Sequence, residues 1–189
     1  MSLLNVDKVD PSTGTTLTLG TSGDTVSIPS GVTITNSGTD GGGFGMNGTP
    51  NCLVYLSGNQ TITDDTITKI TFDTEVYDSD SAFASNKFTV PSGEGGKYAI
   101  LLNLSLDTGA DSNMNYAYGY IYKNGSSIRQ AGIDLRANPG RRNFVSVFSV
   151  EDLSATDYIE AYAIIDDTSG SPLVTGGSAN SLFMMWRVA

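Results

Sequence analysis

The sequence predicts an all-β sandwich of jelly-roll type for its C-terminal three-quarters. Three observations carry that reading. Apolar residues recur with period 2 through segment after segment, Gly/Pro/Asn turn signals separate the segments at short spacing, and no stretch of ten residues or more keeps a 3.6-residue period. Alternation places successive side chains on opposite faces of a strand, so segments of this kind require a two-layer architecture that covers one face of each.

The segments follow in chain order. Cys52 opens a short apolar run, CLVYL, in which the lone thiol reads as a small buried hydrophobe. Ile70, Phe72 and Val76 alternate with polar positions, and Phe88 and Val90 precede a Pro91-Ser92-Gly93 turn. The strongest strand signal comes next, because Tyr98, Ile100, Leu102, Leu104 and Leu106 hold period 2 over nine residues. Tyr116, Tyr118, Tyr120 and Tyr122 then alternate with Ala117, Gly119 and Ile121 and run into Asn124-Gly125, the preferred pair for a two-residue hairpin turn. Phe144 to Val150 and Tyr158 to Ile165 carry apolar residues on both faces and are expected to be buried on both. Leu182, Met184, Trp186 and Val188 close the chain. The expectation is about eight to ten strands.

The first 50 residues differ. Gly, Thr and Ser make up 26 of them, and they hold one aromatic residue, Phe44, of the chain's 17. So little apolar surface cannot offset about 1–2 kcal/mol of conformational entropy per ordered residue. Yet Leu17 and Leu19, Val26 and Ile28, and Val32 and Ile34 form three period-2 pairs between Gly/Pro turns. We expect residues 1–43 to be an extended β-rich stalk whose shared core these six side chains fill when several chains coil together, with a disordered linker as the alternative. Residues 44–50 are expected to be a Gly-rich joint, and residues 51–189 the jelly-roll head.

Composition narrows function. Ten Lys and Arg against 20 Asp and Glu give a net charge of -10, which disfavours nucleic acid and anionic lipid because both require a basic surface. The absence of His excludes His-based acid–base catalysis, His metal ligation and His-containing triads. Cys52 alone can form no intrachain disulfide. The N-terminus MSLLNVDKVD lacks the pattern of a signal peptide. No cofactor and no catalytic residue is expected.

Residues 51–189 resemble the globular head of complement C1q and the tumour necrosis factor-like trimers. CLVYLSG, ITFDTEVYD, NKFTVPSGEGGKYAILLNLSL, YIYKNGSSI, FSVEDLSATDYIEAYA and SLFMMWRV carry the likeness in that order. Asp157-Tyr158-Ile159 stands where the family pattern has Gly-Asp, and Glu94-Gly95-Gly96 is an insertion-like variant. The resemblance implies a homotrimer packed around an aromatic-lined axis. A second resemblance, of LNVDKVDPSTGTTLTLGTSGDTVSIPSGVTITNSGT, is to openings of fibre-like structural proteins of tailed bacteriophages, marine ones in particular. It implies a virion protein, made in the host cytoplasm and displayed on the particle surface. Residues 1–43 would meet other virion proteins, and the head would meet a host cell-surface glycan or protein. A capsid decoration or adaptor protein is the alternative, and a polysaccharide-degrading fibre enzyme a third.

Within the head, the stripe Tyr116, Tyr118, Tyr120 and Tyr122 is the candidate trimer interface, since tyrosines combine large area with a hydroxyl. An intrachain core or a ligand platform would use the same residues. Asp64-Asp65, Asp78/Asp80 and Asp166-Asp167 are acidic pairs. Solvated turns are their default role, with calcium binding at Asp78/Asp80 or carboxylate-pair hydrolysis as sharper readings. Arg136, Arg141 and Arg142 form the basic cluster, to which no role is assigned.

Overall fold

A computed structural model describes residues 48–188, together with Thr25, Ser27, Ser30 and Gly31. The chain divides into two units, Met1–Gly45 and Met46–Ala189. The six expected stalk-core residues, Leu17, Leu19, Val26, Ile28, Val32 and Ile34, lie outside the described residues.

The described residues of the second unit form thirteen strands: β1 (Asn51–Tyr55), β2 (Gln60–Thr61), β3 (Thr68–Lys69), β4 (Thr74–Asp78), β5 (Phe83–Ala84), β6 (Lys87–Thr89), β7 (Gly96–Asp107), β8 (Met114–Lys123), β9 (Ser126–Asp134), β10 (Arg142–Leu153), β11 (Tyr158–Asp167), β12 (Leu173–Val174) and β13 (Leu182–Arg187). Among the described residues there is no helix. The number exceeds the expected eight to ten because β2, β3, β5 and β12 are two-residue pairings made by neighbouring strands, too short to leave a period in sequence.

Two antiparallel sheets form the sandwich. The first runs β2-β12-β7-β13-β1-β4, with β10 also on β7. Since β10 pairs with the whole of β7, while β13 takes Tyr98–Asn103 and β12 takes Leu106–Asp107, β12 and β13 share one edge of β7 and β10 holds the other. The second sheet runs β5-β6-β11-β8-β9, with β3 also on β11. Asn124 and Gly125 make the two-residue β8–β9 turn with φ of 51° and 78°. Left-handed backbone at both positions matches the right-handed twist of the flanking strands and is what Asn-Gly supplies most readily.

The core lies between the sheets. Tyr98, Ile100, Leu102, Leu104 and Leu106 point inward from β7 and are fully buried, as period 2 predicts. Phe183 and Met185 of β13 and Cys52 and Val54 of β1 extend that layer, facing Ala117 and Ile121 of β8 and Ile159, Ala161, Ala163 and Ile165 of β11. Opposite large Leu104, β8 carries Gly119, where an added Cβ would come within 3.3 Å of the Leu104 and Val145 side chains. Alternating large and small residues therefore sets the closeness of the two sheets here. Truncating a side chain such as Leu104 to Ala removes about 2–5 kcal/mol in sites of this kind.

One strand departs from expectation. β10 was expected to be buried on both faces, but only Val145, Val147, Ser149 and Leu153 are buried. Phe144, Phe148 and Val150 point away from the sandwich with 63%, 58% and 48% of their surface exposed. Apolar character on both faces fixes that both need cover, and here the second face has none from the rest of the described chain.

Candidate functional site

The sandwich presents two outer faces, and both carry aromatic residues. On the second sheet, β8 turns Ala117, Gly119 and Ile121 inward, so Tyr116, Tyr118, Tyr120 and Tyr122 stand on the outside, each partly exposed. Of the roles open in the sequence, intrachain packing between the sheets is thereby removed. The rings follow one another at centroid distances of 5.9, 6.4 and 6.3 Å. Tyr162, opposite Tyr120 on β11, lengthens the row with its ring 4.3 Å from that of Tyr122. Gly132 of β9 lies opposite Tyr118, and a Cβ there would sit 2.2 Å from the Tyr118 ring. The absent side chain is what lets that ring lie down over the β9 backbone.

Charge gathers at the ends of the row. The Tyr116 hydroxyl donates to the Asp65 carboxylate, which pushes the phenol up to about 12, and the Arg136 guanidinium lies 5.3 Å from the ring centroid. At the other end Glu160 pairs with Lys69 at 2.7 Å and accepts from the Tyr162 hydroxyl. Exposed Gln130 and largely buried Ile164 border the middle, opposite Tyr120 and Tyr118.

The first sheet's outer face is more apolar. Register aligns Phe148 of β10, Leu101 of β7, Met184 of β13, Leu53 of β1 and Tyr77 of β4 in one row across five strands. The next row is Val150, Ala99 and Trp186, ending on Asn51. None of these positions is charged. Leu182, Met184 and Trp186 were legible as alternating residues of the last strand, but their alignment with Phe148 and Leu53 exists only through pairing.

The acidic pairs have structural partners. Asp78 accepts from the Ala82 and Phe83 amides at 2.9 Å each, and Asp80 accepts from the Ser79 hydroxyl at 2.7 Å. Asp64 accepts the Asp167 amide at 2.8 Å, which brings Asp64-Asp65 beside Asp166-Asp167 near the Tyr116 end of the row. Burial, then the charge and hydrogen bonding of Asp64, raise the Asp167 carboxyl above its ordinary value. Among the described residues no three His, Cys, Asp or Glu side chains gather as metal ligands. Cys52 is buried in the core, and burial followed by the charge of Asp78 raises its thiol pKa.

The arginine cluster has a role the sequence did not reveal. Asp107 is 2% exposed, and its carboxylate accepts from Arg142 Nε at 2.7 Å, Arg141 Nε at 3.4 Å and the Gly109 amide at 2.7 Å. Burial works to raise this carboxyl, but these donors outweigh it and hold the group below its ordinary value. Arg187 fastens the Glu94-Gly95-Gly96 turn in the same way, through Glu94 Oε2 at 2.7 Å and the Gly95 carbonyl at 3.0 Å. An open cleft of about 380 Å³ lies elsewhere, lined by Phe72, Asp73, Glu75 and the Phe83–Asn86 segment.

No family model and no curated protein matches this chain. Solved structures do. The globular domain of zebrafish complement 1qA protein is similar at 13% identity and a TM-score of 0.53, over 75% of this chain and 98% of that one. Murine APRIL, crystallised at pH 5.0, is similar at 10% identity and a TM-score of 0.52, over 72% of this chain and 98% of that one. The head is an all-β jelly roll of the C1q/tumour necrosis factor-like fold. At these identities the likeness establishes the fold alone.

Proposed function

We propose that this chain is a non-catalytic structural and binding protein of a tailed-bacteriophage particle, a homotrimeric short fibre. In this reading residues 1–43 anchor it to other virion proteins and the jelly-roll head contacts the host surface. The outer face of the first sheet carries the assembly part of the reading. Phe144, Phe148, Val150 and Tyr77 together expose on the order of 400 Å² of mainly apolar surface, given that a large aromatic residue can bury about 150–250 Å². Leu101, Met184, Leu53 and Trp186 join them into a patch at or beyond the largest on an ordinary monomer, about 300–600 Å². A stable interface covers about 800 Å² per partner, and a neighbouring copy placed on this face would supply it. This surface, rather than the tyrosine row, is the one we assign to contact between copies. The virion setting rests on the N-terminal resemblance.

Three measurements test the reading. Sedimentation of the purified chain at micromolar concentration returns a trimer mass, and a monomer would overturn the assembly. Antibody labelling of particles marks the tail tip for a fibre. Regular labelling of the shell would move the protein to capsid decoration. Release of reducing sugar from host surface polysaccharide, abolished by changing one Asp, would overturn the non-catalytic assignment.

A further inference from the structure

We propose that the tyrosine row on the outer face of β8 and β11 is a binding platform for a neutral glycan chain. The inference rests on the reading above, in that it gives the head's contact with a host surface a place and a ligand class.

Four observations converge. The row is continuous, with five rings spaced at 4.3 to 6.4 Å, and alternate residues on one strand are about 6.8 Å apart, a repeat that suits successive sugars of a chain better than one isolated sugar. Tyr118 lies over Gly132, which leaves the opposite face of its ring to the solvent side. The C–H face of a pyranose packs on such an aromatic face, while its hydroxyls need neutral donors and acceptors at the rim. Gln130 and the hydroxyls of Tyr118, Tyr120 and Tyr122 provide them, those of Tyr116 and Tyr162 being held by Asp65 and Glu160.

Charge selects the class of ligand. The middle of the row, formed by Tyr118, Tyr120, Tyr162, Ile164 and Gln130, bears no charge. The groups at its ends are largely matched already: Glu160 by Lys69 at 2.7 Å, Asp134 by Arg136 at 2.8 Å, and Asp65 by the Tyr116 hydroxyl. Asp166, beside Tyr116, adds negative charge at one end. An anionic polymer meets repulsion there and no free cation in the middle, and a cationic one finds no row of carboxylates along the rings. A second copy of the chain fits less well, because the hydroxyl-rich row would be desolvated while a more apolar face stood open on the other sheet.

The experiment is affinity electrophoresis of the full chain in native gels containing hydroxyethylcellulose, glucomannan or dextran, with alginate as the anionic control. At least one neutral polymer is expected to retard the protein and alginate is not. Tyr118→Ala/Tyr120→Ala should weaken retardation fivefold or more, whereas Tyr118→Phe/Tyr120→Phe, which keeps the rings, should retain most of it. Gln130→Arg places a cation across the middle without touching the core, and should also abolish retardation. It keeps the test decisive if the alanine pair does not fold. Migration unaffected by all three neutral polymers, retardation by alginate alone, or wild-type behaviour of Gln130→Arg would overturn the proposal. So would collapse of folded Tyr118→Ala/Tyr120→Ala to a monomer in sedimentation, since the row would then be the contact between copies. A wild-type monomer that is still retarded would overturn the assembly and leave the platform standing.

Discussion

Asp157 stands immediately before β11, and the structure gives it three tasks. Its carboxylate pairs with Lys123 at 2.9 Å and accepts from the Asn124 amide group at 2.7 Å and the Ser154 backbone amide at 2.9 Å. The β8–β9 turn and the start of β11 are thereby tied together. The hydrogen bonds from Lys123, Asn124 and Ser154 lower the carboxyl to about 2. Asp107 is lowered as well, its arginine and amide donors outweighing burial. For an acid with a depressed folded pKa, the stabilisation is present above the unfolded value and disappears as pH falls through the folded one. Asp167, raised by burial and Asp64, acts in the opposite sense. Thermal melts followed by circular dichroism should therefore lose stability from about pH 4 down to about 2, the interval between ordinary and depressed carboxyls. Asp157→Asn should lower stability at neutral pH by about 1–2 kcal/mol and reduce that acid-side slope. A slope equal to wild type would mean that the ion pair contributes little.

At the scale of elements, β10 carries the exposed rings of the face proposed to join copies. Its outward residues lie on an edge strand, and Phe144→Ser/Phe148→Ser removes two exposed rings while leaving Val145 and Val147 in the core. The variant should fold with an unchanged far-ultraviolet spectrum and sediment as a monomer at concentrations where the parent is a trimer. An unchanged mass would place the assembly face elsewhere. The same strand shows where sequence reading stops. β7 and the β8–β9 hairpin were legible, because period 2 and an Asn-Gly pair are local signals. That both faces of β10 are apolar was legible too, but a period cannot say whether cover comes from its own chain or from another. The two-residue strands left no signal, nor did Asp107 with Arg142, or Glu94 with Arg187, 93 residues apart. The tyrosines were legible as a stripe. Their outward aim was not, since it depends on Ala117, Gly119 and Ile121 being the small and apolar set that fits opposite β7.

Across the whole molecule, the proposed assembly brings together chains that each carry a net charge of -10. Apolar contact must then exceed mutual repulsion, so raising salt should tighten the trimer, the reverse of an interface built on ion pairs. The chain carries its own means of observing this. Its single tryptophan, Trp186, stands partly exposed in the apolar face of the first sheet, between Ala99 and Asn51. Covering that face withdraws the indole from water, whereas filling the tyrosine row on the opposite sheet leaves it untouched. Emission excited at the red edge of the absorption band, where tyrosines are silent, should shift to shorter wavelength as salt or protein concentration rises, and stay fixed when a glycan is added. One fluorophore placed by the fold thus gives assembly an optical signal separate from ligand binding, with no label attached.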